Sequence, residues 1–254
     1  MSSIQVSHLT FGYEGSYDLI FNDVSFSIDT NWKLGLIGRN GKGKTTFLKL
    51  LLGMLPYQGK ISSGNKHFSY FPFSITQPER LTAELLATMV PDCEFWRLER
   101  DLSLLQVAED CLSRSFSSLS QGEQTKILLA ALFQQEETFL LIDEPTNHLD
   151  IAGRQILADY LRSKKSFILV SHDRAFLDRS VDHILAINQA NIQVQKGNFS
   201  SWQQNKVWQD QFEQAEKERL QREIKKLAAA TKRTAKWSDQ VEKSKTGDGH
   251  VDRG

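Results

Sequence analysis

The spacing of apolar and polar positions changes period several times along the chain. "SIQVSHLTF" (3–11) and "DVSFSI" (23–28) alternate with period two, as strands with one buried face do. "KLGLIG" (33–38) is a short apolar run closing on glycine, and from Lys44 the pattern becomes that of a leucine-rich helix. "HFSYFPF" (67–73) is another β-like run. Residues 79–135 read mostly as helix, with Leu81, Leu85, Leu86 and Met89 at spacings of one, three and four. "FLLID" and "FILVSHD" are continuous apolar runs, the pattern of strands buried on both faces of a parallel sheet. "HILAINQANIQVQKGN" reads as a closing hairpin. These elements predict an α/β core with a helical subdomain inserted at about 77–135.

The last 55 residues change character. From Trp202 there is almost no β signal, and Trp208, Phe212, Leu220, Ile224 and Leu227 form a broken apolar stripe at helical spacing. Residues 201–254 therefore read as a charged helical linker. Between Lys217 and Lys245 ten Lys/Arg face four Asp/Glu, a local balance of +6. That is either a solvated helix face or a surface for phosphates. The end, "KTGDGHVDRG", has turn formers and no core residues and is expected to be disordered. Trp237 suits either stacking on a base or packing between two helices.

Composition narrows the classes. The 254 residues carry 31 basic and 31 acidic side chains, so an argument for an anionic partner has to be local. Cys93 and Cys111 show no metal spacing and read as reduced thiols. The first residues lack a basic and apolar leader, and no run approaches bilayer length, so a cytoplasmic protein is expected.

The chemistry is concentrated in three short segments. Gly38-Arg39-Asn40-Gly41-Lys42-Gly43-Lys44-Thr45 fits G-x-x-x-x-G-K-[ST] between a strand and a helix. Glycines let backbone N–H groups approach phosphate oxygens, and the helix N-terminus adds partial positive charge. Lys44 can bridge the outer phosphates, Thr45 can ligate Mg²⁺, and Thr46 continues the helix start. The loop is expected to hold a nucleoside triphosphate. Asp143 and Glu144 end an apolar strand, which in a parallel sheet lies beside such a loop. Asp143 suits a Mg²⁺ contact and Glu144 a general base for the attacking water. His172, at the end of another buried strand, is either a γ-phosphate contact or an ordinary strand-end residue. Ser120 with Glu123 three residues on reads as a helix cap and capping box.

The phosphate loop, "LSQGEQ" (119–124), "DEPTNHLD" (143–150) and "SHD" (171–173), in that order, resemble the ATP-binding cassette (ABC) ATPases over residues 1 to about 200. The resemblance implies a P-loop NTPase fold: a mixed sheet core, an antiparallel β subdomain and a helical signature subdomain. It implies ATP and Mg²⁺ as ligands and hydrolysis of ATP to ADP and phosphate, weak in an isolated half. It makes Leu119, Ser120, Gln121, Gly122 and Glu123 the signature element, which caps ATP on an opposite cassette. It also implies Tyr13 as the residue stacking on adenine, with Ile20 nearby, and Asp150 in the loop linking two sites. Two departures stand out. Gln121 replaces a second signature glycine, and the usual Mg²⁺-side glutamine falls at Phe73, with Gln77 four residues later as a substitute.

"SHDRAFLDRSVDHIL" and "KGNFSSWQQNK" before a charged helix look like the ABC-F proteins, twin-cassette ATPases that act on ribosomes. "WKLGLIGRNGKGKTT" with "KWSDQVEKSK" is similar to the ribosome-protecting, antibiotic-resistance members. On that resemblance the partners are a second cassette, in the same chain or as a homodimer, and the ribosome through the basic linker. The alternative is the ATPase subunit of an ABC membrane transporter; a non-catalytic nucleotide-gated scaffold is a third reading, which Glu144 opposes.

Overall fold

The computed structural model describes residues 3–16, 18–39, 41, 43–91, 94–188 and 192–245, with the side chains of the last helix as far as 232. Asn40, Lys42, Cys93, the Trp237 side chain and the end after Lys245 lie outside the described residues. The chain divides into two compact units, Met1–Trp202 and Gln203–Gly254.

Nine strands are described in the first unit. β1 (Ser3–Phe11), β2 (Phe21–Asp29) and β4 (Gln58–Ser62) form an antiparallel sheet in the order β2-β1-β4. β3 (Lys33–Gly38), β5 (His67–Phe71), β6 (Thr138–Asp143), β7 (Phe167–Val170), β8 (His183–Ile187) and β9 (Ile192–Lys196) form the second sheet in the order β5-β6-β7-β3-β8-β9. It is parallel except for β9, which pairs antiparallel with β8 as the hairpin pattern predicts. The P-loop cassette architecture of a mixed sheet with an antiparallel subdomain is therefore present.

The continuous apolar runs are explained by two cores, one on each side of the second sheet. Along β6, Phe139 and Leu141 belong to one core and Leu140 and Ile142 to the other. Along β7, Ile168 and Val170 alternate with Phe167 and Leu169 in the same way. One core takes α1 (Lys44–Leu51) and the antiparallel sheet through Phe47, Leu48, Ile4 and Leu9. The other takes α4 (Gln121–Leu132), α5 (Ile151–Ser163) and α6 (Arg174–Ser180). A strand needed on both faces has no room for the polar alternation seen in β1.

The stretch read as mostly helical is more broken than its spacing suggests. It holds α2 (Thr82–Met89), α3 (Phe95–Leu104) and α4, with two 3-10 turns at Glu109–Ser113 and Phe116–Ser118. Pro91 follows the end of α2, and Gln106, with φ 53°, turns the chain after α3. Leu85 and Leu86 are buried as the stripe requires, whereas Leu81 precedes the helix and is exposed.

α3 is tied down by a buried carboxylate. Asp101 is fully buried, and its Oδ2 accepts hydrogen bonds from Gln134 Nε2 at 2.7 Å, from the Tyr160 hydroxyl of α5 at 2.9 Å and from the Lys164 ammonium. Arg100 donates to its other oxygen at 3.2 Å.

α7 (Phe199–Lys245) starts within "KGNFSSW". Gly197 takes φ 125°, and the Asn198 side chain accepts the Ser201 N–H at 3.1 Å. Phe199 and Trp202 pack against the core, and Ser200 donates through its N–H and hydroxyl to Asp178 of α6 at 2.7 and 3.0 Å. In the second unit, Trp208, Phe212, Leu220, Ile224 and Leu227 are all exposed, and ion pairs such as Arg219–Glu223 and Arg222–Glu218 lace the helix at i,i+4.

Candidate functional site

The C-terminal ends of the neighbouring strands β6, β7 and β3 deliver the three chemical segments to one edge of the sheet. After β3, Gly41 has φ 74° and Gly43, the cap of α1, has φ 96°. A Cβ at Gly43 would lie 2.5 Å from Ile20 Cγ2, so position 43 admits only glycine on both counts. Lys44 folds back so that its ammonium donates to the Gly38 carbonyl at 2.9 Å. Thr45 donates its hydroxyl to Asp143 Oδ2 at 3.1 Å. The Tyr13 and Thr46 hydroxyls are 3.0 Å apart.

Glu144 sits just past β6 in the left-handed region, with φ 50°. Its N–H donates to Val170 O at 2.9 Å, which ties it to the end of β7. Its Oε2 accepts the His172 N–H at 3.2 Å, and His172 Nε2 stands 3.4 Å from Oε1. Oε1 is buried without a hydrogen-bond donor among the described residues. Burial holds the Glu144 carboxyl above its ordinary pKa; the His172 N–H and ring pull it back down, and Asp143 pushes it further up.

These residues surround one cavity of about 400 Å³, lined by Tyr13, Ile20, Gly41, Gly43, Lys44, Thr45, Thr46, Asp143, Glu144, Val170 and His172. Gly38 closes β3 beside it, and Arg39 follows, exposed. A second cavity of about 460 Å³ adjoins the same carboxylates on the side of α4, where Tyr70, Phe73, Gln121 and Gln124 contribute to its wall. Gln77 lies in an exposed turn and lines neither cavity.

None of the residues 119–123 lines the first cavity. Leu119 is buried in the helical subdomain, and Ser120 caps α4 with both arms of a capping box. The Ser120 N–H and hydroxyl donate to Glu123 Oε2 at 2.8 and 2.6 Å, and the Glu123 N–H donates to Ser120 Oγ at 3.2 Å. The Cys111 thiol is 3.4 Å from the other oxygen of Glu123. A Cβ at Gly122 would come within 3.2 Å of His148 O, so α4 starts tight against the loop after Glu144. Gln121 is exposed on that first turn. Asp150 caps α5 through the Gly153 N–H at 2.7 Å.

One polar group at the site has no motif to announce it. The Tyr70 hydroxyl donates to Asp143 Oδ2 at 3.1 Å. Only strand register reveals it: β5 and β6 are parallel with Tyr70 opposite Leu141, so the ring reaches toward Asp143 two residues on.

The glycine loop, paired carboxylates and strand-end histidine meet at one cavity, and a family profile described as "ABC transporter" matches residues 21–147. The chain belongs to the ABC transporter family. Within it, the chain is similar to ABC transporter F family member 2 of Arabidopsis thaliana, 29% identical over 81% of this chain and 31% of that protein. It is also similar to the ribosome protection protein VmlR of Bacillus subtilis (strain 168), 31% identical over 92% of this chain and 40% of that protein. The chain thus spans well under half the length of these relatives. A solved structure titled "Structure of ATP binding subunit of ABC transporter" shares the fold, with TM-score 0.64 and 23% identity over 80% of this chain and 92% of that one. Among the described residues, no helix is long and apolar enough to cross a membrane.

Proposed function

We propose that this chain is one ATP-binding and ATP-hydrolysing cassette of an ABC-F-type protein that acts on the ribosome. The observation that carries the catalytic half is the convergence of Lys44, Thr45, Asp143, Glu144 and His172 on one cavity. The ribosomal half rests on the similarity to VmlR and on the net +6 between Lys217 and Lys245.

The residues present fit Mg²⁺. Thr45 Oγ1 and Asp143 Oδ2 are hard oxygens side by side, and Glu144 Oε1 is a buried oxygen lacking a donor. Thr45 and Asp143 would hold the ion, which would supply charge neutralisation to the outer phosphates. Glycine N–H groups and the α1 N-terminus bind the phosphates, and Lys44 turns from Gly38 O to the outer ones. Glu144 accepts a proton from the attacking water, helped by a carboxyl whose burial raises its basicity. His172 holds Glu144 in place through its N–H and presents its ring toward the γ-phosphate. Leu119, Ser120, Gln121, Gly122 and Glu123 serve the site of a second cassette.

Glu144→Gln should leave ATP binding intact and slow hydrolysis by at least ~10²-fold. Carried in the reading frame extended to its natural end, that variant should pellet with bacterial ribosomes when ATP is present, less so as salt rises. Absence of pelleting with ATP binding intact would overturn the ribosomal reading and point to a membrane complex.

A further inference from the structure

Asp143 Oδ2 receives two hydroxyls at the same distance: Thr45 from the start of α1 and Tyr70 from β5, each at 3.1 Å. They differ in what else they can do. Thr45 lies in the nucleotide cavity and is itself a candidate ligand, so its hydroxyl is engaged with whatever the site binds. Tyr70 reaches Asp143 from the adjoining cavity, beyond the residues that line the nucleotide cavity. Its ring is part-buried and packs against the core on the α1 side, its strand is locked to β6 in register, and its hydroxyl has Asp143 as a partner.

The neighbouring loop makes this contact matter. Phe73 lines the adjoining cavity with an apolar ring that packs against the core, so it offers Asp143 no polar partner there. Across the cavity Gln124 Nε2 donates to the Phe116 and Leu119 carbonyls, at 3.0 Å each. We propose that Tyr70 is a positioning residue of the metal site: its phenol fixes the Asp143 carboxylate in the orientation that faces Thr45, and so sets the affinity for a divalent cation. The inference rests on the Mg²⁺–ATP reading of the cavity. Removing an outer partner of a metal ligand typically costs about 10–100-fold in metal affinity.

The test uses this chain with ATP and Mn²⁺ as probe, free Mn²⁺ being read by electron paramagnetic resonance. A fluorescent ATP analogue reports nucleotide affinity in EDTA. Tyr70→Phe keeps the ring and removes only the hydroxyl. The expected result is a Mn²⁺ Kd raised about 10-fold or more, with metal-free nucleotide affinity and melting temperature close to the parent. Lys44→Ala, by contrast, should lose nucleotide with or without metal. Parent-like Mn²⁺ affinity in Tyr70→Phe would overturn the inference and leave the ATP reading standing. Equal losses in EDTA and in Mn²⁺ would also overturn it, since they mark a packing role. Failure of the parent to take up Mn²⁺ with ATP would sink the reading of the site and the inference together.

Discussion

Glu144 is held at a cost to the fold. Its backbone is in the left-handed region that a long side chain disfavours, and one carboxylate oxygen is buried without a donor among the described residues. Because its folded pKa lies above the unfolded one, the native state binds the proton more tightly. Stability from this group is therefore present in acid and lost as pH rises through the raised value. Glu144→Gln should accordingly be more stable than the parent at neutral pH, with the gap closing in mild acid. Urea unfolding at the two pH values checks this, and a parent that is the more stable at neutral pH would contradict it. At this scale the sequence was readable where chemistry is local. The phosphate loop is contiguous, and Asp143 and Glu144 follow an apolar run. Tyr70 was not readable, because its contact depends on the register of two strands more than 60 residues apart in the chain, as Tyr70 opposite Leu141 shows.

Among the elements, α4 shows how a local signal survives folding. Ser120 and Glu123 form the reciprocal cap that their spacing suggests, and the Ser120 hydroxyl and N–H hold the Glu123 carboxyl below its usual pKa. A lowered pKa contributes stability above the unfolded value and loses it as pH falls. Ser120→Ala should thus cost about 1 kcal/mol at neutral pH and less in acid. Denaturation of parent and variant at both pH values measures it; a cost independent of pH would show that the cap acts without the carboxylate. The helical subdomain around α4 was legible as helix but not in its breaks. Its periodicity does not reveal that Gln106 turns left-handed or that Glu109–Ser113 and Phe116–Ser118 tighten into 3-10 turns. "KGNFSSW" was legible as the approach to a charged helix; its docking on Asp178 required the fold.

For the whole molecule, the governing fact is that of residues 119–123 only Gln121 comes near the paired carboxylates, through the adjoining cavity rather than the one beside the glycine loop. If a complete site needs these residues from a second cassette, ATP turnover per chain should be low and should rise with protein concentration. A steady-state assay across a dilution series decides this, and turnover per chain that stays constant on dilution would assign the full site to one cassette. The doubly buried sheet was legible from "FLLID" and "FILVSHD" because burial on both faces leaves an unmistakable apolar run. The order β5-β6-β7-β3-β8-β9 was not, since strand order is written in long-range pairings rather than in any one segment.

The knot at Asp101 has a consequence for descent rather than for chemistry. Gln134, Tyr160 and Lys164 follow Asp101 by 33, 59 and 63 residues, yet all reach a single buried oxygen of it. Losing Lys164 first would leave the buried carboxylate with Arg100 as its remaining counter-charge, a cost below the roughly 3–5 kcal/mol of a buried charge left wholly unpaired. Substitutions at these four positions are therefore energetically coupled, each one's cost depending on which partners of the shared oxygen remain.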